Sequence, residues 1–148
     1  MIGRSAYLLS GALTALLVGL GLAWSAVAET AADGAWRLQL ELSSFHHGRI
    51  ASFDEVVEVR NGHFSGGFDQ RRTQVVLSFA IAGEVLSGRV AVTPGSNWNT
   101  GTRSFRGTVT GGVFEGEIEV PATFELHGDE DGDLDSRLVA VRMRLARQ

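Results

Sequence analysis

The densest run of potential ligand atoms is Asp129-Glu130-Asp131-Gly132-Asp133-Leu134-Asp135. Alternating carboxylates around a glycine supply the hard oxygen donors that Ca²⁺ prefers, so Asp129, Asp131, Asp133 and Asp135 are the candidate cation ligands. The stretch is not an EF-hand. With Gly132 at the sixth loop position, His127 falls at position one and Leu138 at position twelve, and neither is a carboxylate. The competing reading is a solvated acidic loop whose Asp and Gly residues simply make a turn. Histidine offers less. His46 and His47 are adjacent, so on a strand they would point to opposite faces, and His63 and His127 stand apart.

Catalytic patterns are absent from the sequence. There is no Gly-x-Ser-x-Gly elbow and no cysteine to act as a nucleophile. Glu115, Glu117 and Glu119 include enough carboxylates for glycoside hydrolysis, but their spacing puts them along one face of a strand, as a solvated surface would. One residue stands out as a contact. Trp98 lies between Asn97 and Asn99 in the polar stretch Pro94–Thr102, so it either folds back as a lid or reaches a partner. Asn97, Trp98 and Asn99 are therefore the candidate ligand-binding residues.

The elements that would position these residues are strands. Trp36, Leu38, Leu40 and Leu42 alternate with Arg37, Gln39, Glu41 and Ser43, the period of a half-buried strand. Asn61-Gly62 predicts a two-residue hairpin turn that sets Val59 opposite Phe64 and Val57 opposite Gly66. Gln70–Thr73 reads as a polar turn, and Val75 to Ile81 and Leu86 to Val92 as the next two strands, with the loop at Ala82-Gly83 two or four residues long. Gly111-Gly112 predicts a second hairpin, with Gly107 opposite Gly116 and Arg106 meeting Glu117 in a pair worth roughly 0.2–1 kcal/mol. Pro121 marks a bend or an edge, and Val139 to Leu145 alternate as the last strand.

An apolar-x-Gly-x-apolar pattern runs through these strands, at Phe64–Phe68, Leu86–Val90, Phe105–Val109 and Phe114–Ile118. Glycine inside a strand marks a bend, a bulge or a close approach, and its repetition on one face suggests a strongly curved sheet. The expected fold is all-β, an antiparallel up-and-down meander of about eight strands forming a closed β-barrel, with a two-sheet sandwich as the alternative.

Residues 29–148 suffice for a single domain, and residues 1–28 read as a signal peptide. Arg4 precedes an apolar run, and Ala26-Val27-Ala28 matches a small-x-small cleavage site; the alternative is an uncleaved anchor. The character of this signal implies a bacterial periplasmic or secreted protein. No cysteine is present, so the domain relies on its core rather than on disulfides. Every basic residue is an arginine, and beyond Arg4 there are 12 of them against 17 acidic residues, a formal charge of −5. Such a balance argues against nucleic-acid or anionic-membrane partners.

Two resemblances attach to these residues. Asp33-Gly34-Ala35-Trp36, Val57–Gly62 and the repeated Ser-Gly strands resemble small exported bacterial β-rich proteins of unknown function, a group that supplies no activity. Gly34-Ala35-Trp36, Gly62–Gly66 and Val85–Val90 are similar to strand patterns of the avidin family of eight-stranded barrels. Gln39 and Ser43 do not reproduce that family's biotin motif, so this resemblance implies barrel topology and not biotin binding. The function expected is non-enzymatic binding of a small apolar molecule or an envelope protein, with no cofactor beyond the Ca²⁺ considered above. An envelope hydrolase or protease inhibitor and a structural or stress-related envelope protein are the alternatives.

Overall fold

The computed structural model describes residues 31–44, 48–124 and 135–148. Residues 1–28, His46, His47, His127, Asp129, Asp131 and Asp133 lie outside the described residues, so the readings placed on them are carried no further by the fold.

The alternation from Trp36 to Leu42 becomes β1 (Gly34–Ser44), followed in order by β2 (Gly48–Val59), β3 (His63–Gln70), β4 (Thr73–Ala82), β5 (Val85–Thr93), β6 (Gly101–Thr108), β7 (Val113–Phe124) and β8 (Asp135–Arg147). All ladders are antiparallel, and they form two four-stranded sheets of order β2-β1-β8-β7 and β3-β4-β5-β6. The all-β meander is as expected, whereas the closed ring of ladders is not formed among the described strands. Both hairpins expected to zip across the sheets open just beyond their turns. β2 meets β3 only at the Arg60–His63 bridge, and β6 meets β7 only at Thr110–Val113.

Physical reasons for both gaps lie in the strands that border them. Along β2 the inward series Phe53, Val57, Val59 is broken by exposed Glu55, and along β6 the series Gly101, Phe105, Gly107 is broken by exposed Arg103. A charge in the apolar phase disfavours a continuous wall, and it is a recognised device on edge strands. Pro121 does not interrupt β7, which pairs with β8 through Phe124. It sits on the edge, where a missing N–H costs no ladder bond.

The core is a single cluster drawn from both sheets. Leu38, Leu42, Met143 and Leu145 from one sheet and Val75, Leu77, Leu86, Val90 and Val92 from the other are essentially inaccessible to water. Each such aliphatic side chain contributes about 1.5–3 kcal/mol of transfer free energy. The outer face of the first sheet is charged instead. Arg144 meets Glu115 at 2.9 Å and Arg142 meets Glu117 at 3.7 Å, so Glu117 is partnered across β7 and β8 rather than by Arg106.

The repeated glycines turn out to be seats for phenyl rings. A side chain at Gly66 would meet the Phe64 ring at 2.7 Å, and one at Gly107 would meet the Phe114 ring at 2.2 Å. At Gly88 it would meet both the Phe105 ring at 2.7 Å and the Ser78 carbonyl oxygen at 2.4 Å. Gly88 pairs with Phe79 on one side and Phe105 on the other, so the ring crosses to its neighbour's empty position. The motif therefore fits aromatic side chains over glycine in a thin two-sheet core.

An antiparallel meander sorts its connections to two ends. The tight turns Asn61-Gly62, Gly83-Glu84 and Gly111-Gly112 share one end with the N-terminal lead-in and the end of β8. There Trp36 is buried and its indole Nε1 donates to the Ala32 carbonyl at 2.7 Å. Arg147 lies over that indole at 5.9 Å and donates to the carbonyls of Ala31 and Asp33. Asp33 in turn accepts from the Gly62 amide at 2.8 Å. The strand ends bordering 45–47 and 125–134, the 71–72 turn and the 94–100 loop share the opposite end.

Candidate functional site

The loop end collects the residues singled out above. Residues 94–100 connect β5 to β6, and both stems are pinned. Thr73 donates its hydroxyl to the Pro94 carbonyl at 3.0 Å, and the hydroxyls of Thr93 and Thr100 are 2.7 Å apart. Within the loop the Trp98 amide donates to the Gly95 carbonyl at 3.2 Å. A side chain at Gly95 would touch the indole at 3.2 Å, so glycine there lets the ring lie flat against its own loop.

Trp98 is half-buried and packs against the core, while Asn97 is exposed to solvent. Asn99 ties the loop to β7: its amide donates to the Thr123 carbonyl at 2.8 Å, and its side-chain Nδ2 donates to the Thr123 hydroxyl at 3.2 Å. The three neighbours thus have three different roles in space. Trp98 covers the end of the core, Asn99 fastens the two sheets together, and Asn97 faces outward.

Asp135 begins β8, its backbone paired with Phe124. Its three companion carboxylates lie outside the described residues, so the proposed Ca²⁺ set is not assembled by the geometry available. Among the described residues no group of three His, Asp or Glu side chains converges. His63 is at the turn end, with its ring Nδ1 2.7 Å from the Asn61 carbonyl oxygen, away from the strand ends bordering 45–47 and 125–134.

Sequence reasoning missed the two seams between the sheets. Where β6 and β7 part, a groove of about 750 Å³ opens, floored by Phe105 and Phe114 and edged by Arg106, Glu115 and Glu117. Its far end is closed by one side-chain bond and one close backbone approach rather than by a ladder. Arg103 Nε donates to the Glu119 carbonyl at 2.9 Å, and Gly101 presses so closely on the Pro121 carbonyl that no side chain fits. The other seam, between β2 and β3, is lined by Phe53, Phe64 and Phe68, with Phe53 and Phe68 centroids 5.9 Å apart. The readable signal for both was the charged residue in the inward phase of β2 and β6.

One electrostatic arrangement is sharply defined. Arg37 grips Asp54 with both nitrogens, Nε to Oδ1 at 2.8 Å and Nη2 to Oδ2 at 2.6 Å, and Gln39 adds a bond at 3.3 Å. The hydrogen bond from Arg37 holds the Asp54 carboxyl below its usual range, and the same bond raises the Arg37 pKa. A shallow cleft of about 410 Å³ lies beside the pair, between Gln39, Glu41, Arg142 and Arg144. Its partners neutralise one another across the strands, the arrangement of a solvated sheet face.

Comparison with known family models, curated proteins and solved structures gives no match for this chain.

Proposed function

We propose that this is a non-enzymatic binding protein of the bacterial envelope, exported by its N-terminal segment and acting through the loop end of the two sheets. The observation that carries the reading is the construction of the 94–100 loop. Both stems are hydrogen-bonded, and the loop presents a half-buried indole beside an outward-facing amide. Binding residues commonly sit on loops held by a rigid scaffold, and a loop fixed beforehand loses little entropy on contact. Trp98 would supply apolar area and Asn97 the hydrogen bonds that orient a small apolar molecule or a segment of an envelope protein.

The core is filled by side chains from both sheets, which favours contacts made from the surface over a ligand enclosed within. The carboxylates of Asp129, Asp131, Asp133 and Asp135, in the sequence between β7 and the start of β8, would supply a Ca²⁺ site. The test is native mass spectrometry of the protein purified from the compartment to which it is exported. A discrete mass adduct that disappears in Trp98→Ala but persists in Trp98→Phe supports the reading. A bare mass, with no adduct and no co-purifying protein, removes it.

A further inference from the structure

The seam between β2 and β3 presents two backbone edges facing each other. At one end of β2 the Arg60 amide donates to the His63 carbonyl at 3.0 Å, and the reciprocal bond is 2.9 Å. At the other end the Ser52 amide donates to the Gln70 side-chain Oε1 at 2.9 Å. Between them the register of β2 against β1 is unbroken, so alternate residues keep one direction. The amides and carbonyls of Asp54, Val56 and Glu58 therefore point away from β1 and into the seam. By the same alternation from His63, those of Ser65, Gly67 and Asp69 point into it from β3. No ladder joins the two edges.

The side-chain surroundings specify what could lie there. Phe53, Phe64 and Phe68 give the seam an apolar floor, with the Phe64 and Phe68 centroids 6.3 Å apart. Val56 is 65% exposed on the other face of the β2 edge. Glu55 interrupts the apolar floor, and Glu58 follows it; both are exposed and, among the described residues, neither makes an ion pair. Two such edges brought together would repel through these carboxylates, which disfavours pairing with a second copy. A strand carrying a cation opposite Glu55 would instead gain the missing ladder and neutralise the charge.

We infer that the β2 edge captures an extended, basic polypeptide segment by strand addition. The segment has apolar residues flanking an arginine or lysine on its inward face. Main-chain hydrogen bonds to Asp54, Val56 and Glu58 supply affinity, and Glu55 supplies selection for positive charge. This surface is separate from the loop around Trp98, so either proposal can fail without the other.

The probe is a labelled peptide of about eight residues, enough to span the edge at ~3.3 Å per residue. It alternates valine and threonine, with an arginine at the central inward position. Binding to the full protein is followed by fluorescence anisotropy, and amide hydrogen exchange is measured with and without peptide. Saturable binding with new protection at Asp54, Val56 and Glu58 supports the inference. Glu55→Arg should weaken binding at least about tenfold. Val56→Pro should do the same while sparing the β1–β2 ladder, because that amide faces the seam, and Trp98→Ala should leave binding unchanged. No binding at millimolar peptide overturns the inference, as does protection confined to Arg103–Thr108 or an affinity in both edge variants equal to that of the parent. Self-association of the free protein that protects the same amides overturns the foreign strand as occupant.

Discussion

Replacing Gly107 by alanine tests the aromatic-over-glycine packing directly. The added Cβ would lie 2.2 Å from Cε2 of Phe114, whereas carbon atoms rest about 3.5–4.0 Å apart, so the ring must retreat by more than an ångström. Phe114 is only 6% exposed, and its ring also covers Gly116 at 2.8 Å from a Cβ built there. Retreat therefore disturbs a second contact, and the expected cost is that of overpacking a core, about 1–3 kcal/mol. All three nearest atoms to the new methyl belong to one side chain, which makes the clash removable. Phe114→Leu alone should destabilise by leaving space, yet the double variant Gly107→Ala/Phe114→Leu should be more stable than the sum of the two changes implies.

Gly88→Ala provides the contrast. Its nearest obstacle is the Ser78 carbonyl oxygen at 2.4 Å, part of the β4 backbone paired with β5, so it should cost more than Gly107→Ala. Trimming Phe105 to leucine should not rescue it. Urea unfolding of the six variants, Phe105→Leu alone included, and the parent gives every value needed, provided the denaturant slope is unchanged. A coupling below about 0.5 kcal/mol between Gly107 and Phe114 would refute the packing account, since that is the scatter expected of independent sites. So would a Gly88→Ala variant milder than Gly107→Ala.

Arg71 adopts φ 57°, a left-handed conformation that strains any residue with a Cβ, so Arg71→Gly should raise stability by about 0.5–1 kcal/mol in the same assay. Asp54 has its pKa depressed by Arg37, so the pair's contribution is complete above the ordinary carboxylate pKa of ~3.9 and is lost as pH falls through the lower folded value. Melting curves of Asp54→Asn and the parent should therefore differ most near neutrality and converge in acid; a constant difference would contradict the assignment. Asn99→Ala should cost about 0.5–1.5 kcal/mol, because it removes only the side-chain bond to Thr123 and keeps the backbone one. Thermal unfolding measures that loss, and a cost above ~3 kcal/mol would mean that the side chain holds more than this contact.

Local alternation made most strands legible. Trp36 to Leu42, Val75 to Ile81 and Val139 to Leu145 each show which face is buried, and Asn61-Gly62 adopts the positive φ values, 53° and 74°, that its turn demands. What alternation cannot report is whether the two arms of a hairpin stay paired beyond the turn. The inward set is the same for a closed ring and for two sheets, so Val59 and Phe64 face the core in either. Glu55 and Arg103 are the residues that distinguish them, each a charge in an apolar phase, and the bond from Arg103 to the Glu119 carbonyl takes the place of a ladder at its seam. The glycine pattern was visible, and at Gly66 and Gly116 the covering ring comes from two residues earlier in the same strand, but at Gly88 it comes from Phe105 on the adjoining strand, which is not a neighbour in sequence. At the loop end, Trp98 was identifiable by type and setting, whereas the role of Asn99 as a tie between sheets depends on Thr123, which no local pattern connects to it.

The pairing of β1 with β8 has a consequence for how the molecule comes into being. Trp36 is matched to Arg147 and Ser44 to Val139, so the central seam of one sheet joins segments about a hundred residues apart. A chain emerging from the ribosome with its amino end first can pair β1 with β2 and assemble β3, β4 and β5 from neighbours, but the other edge of β1 must wait for β8. Such remote pairing places assembly among the slower, millisecond-to-second class and leaves the nascent chain dependent on whatever shields it. The eighth strand of the meander is thus the one that locks the first.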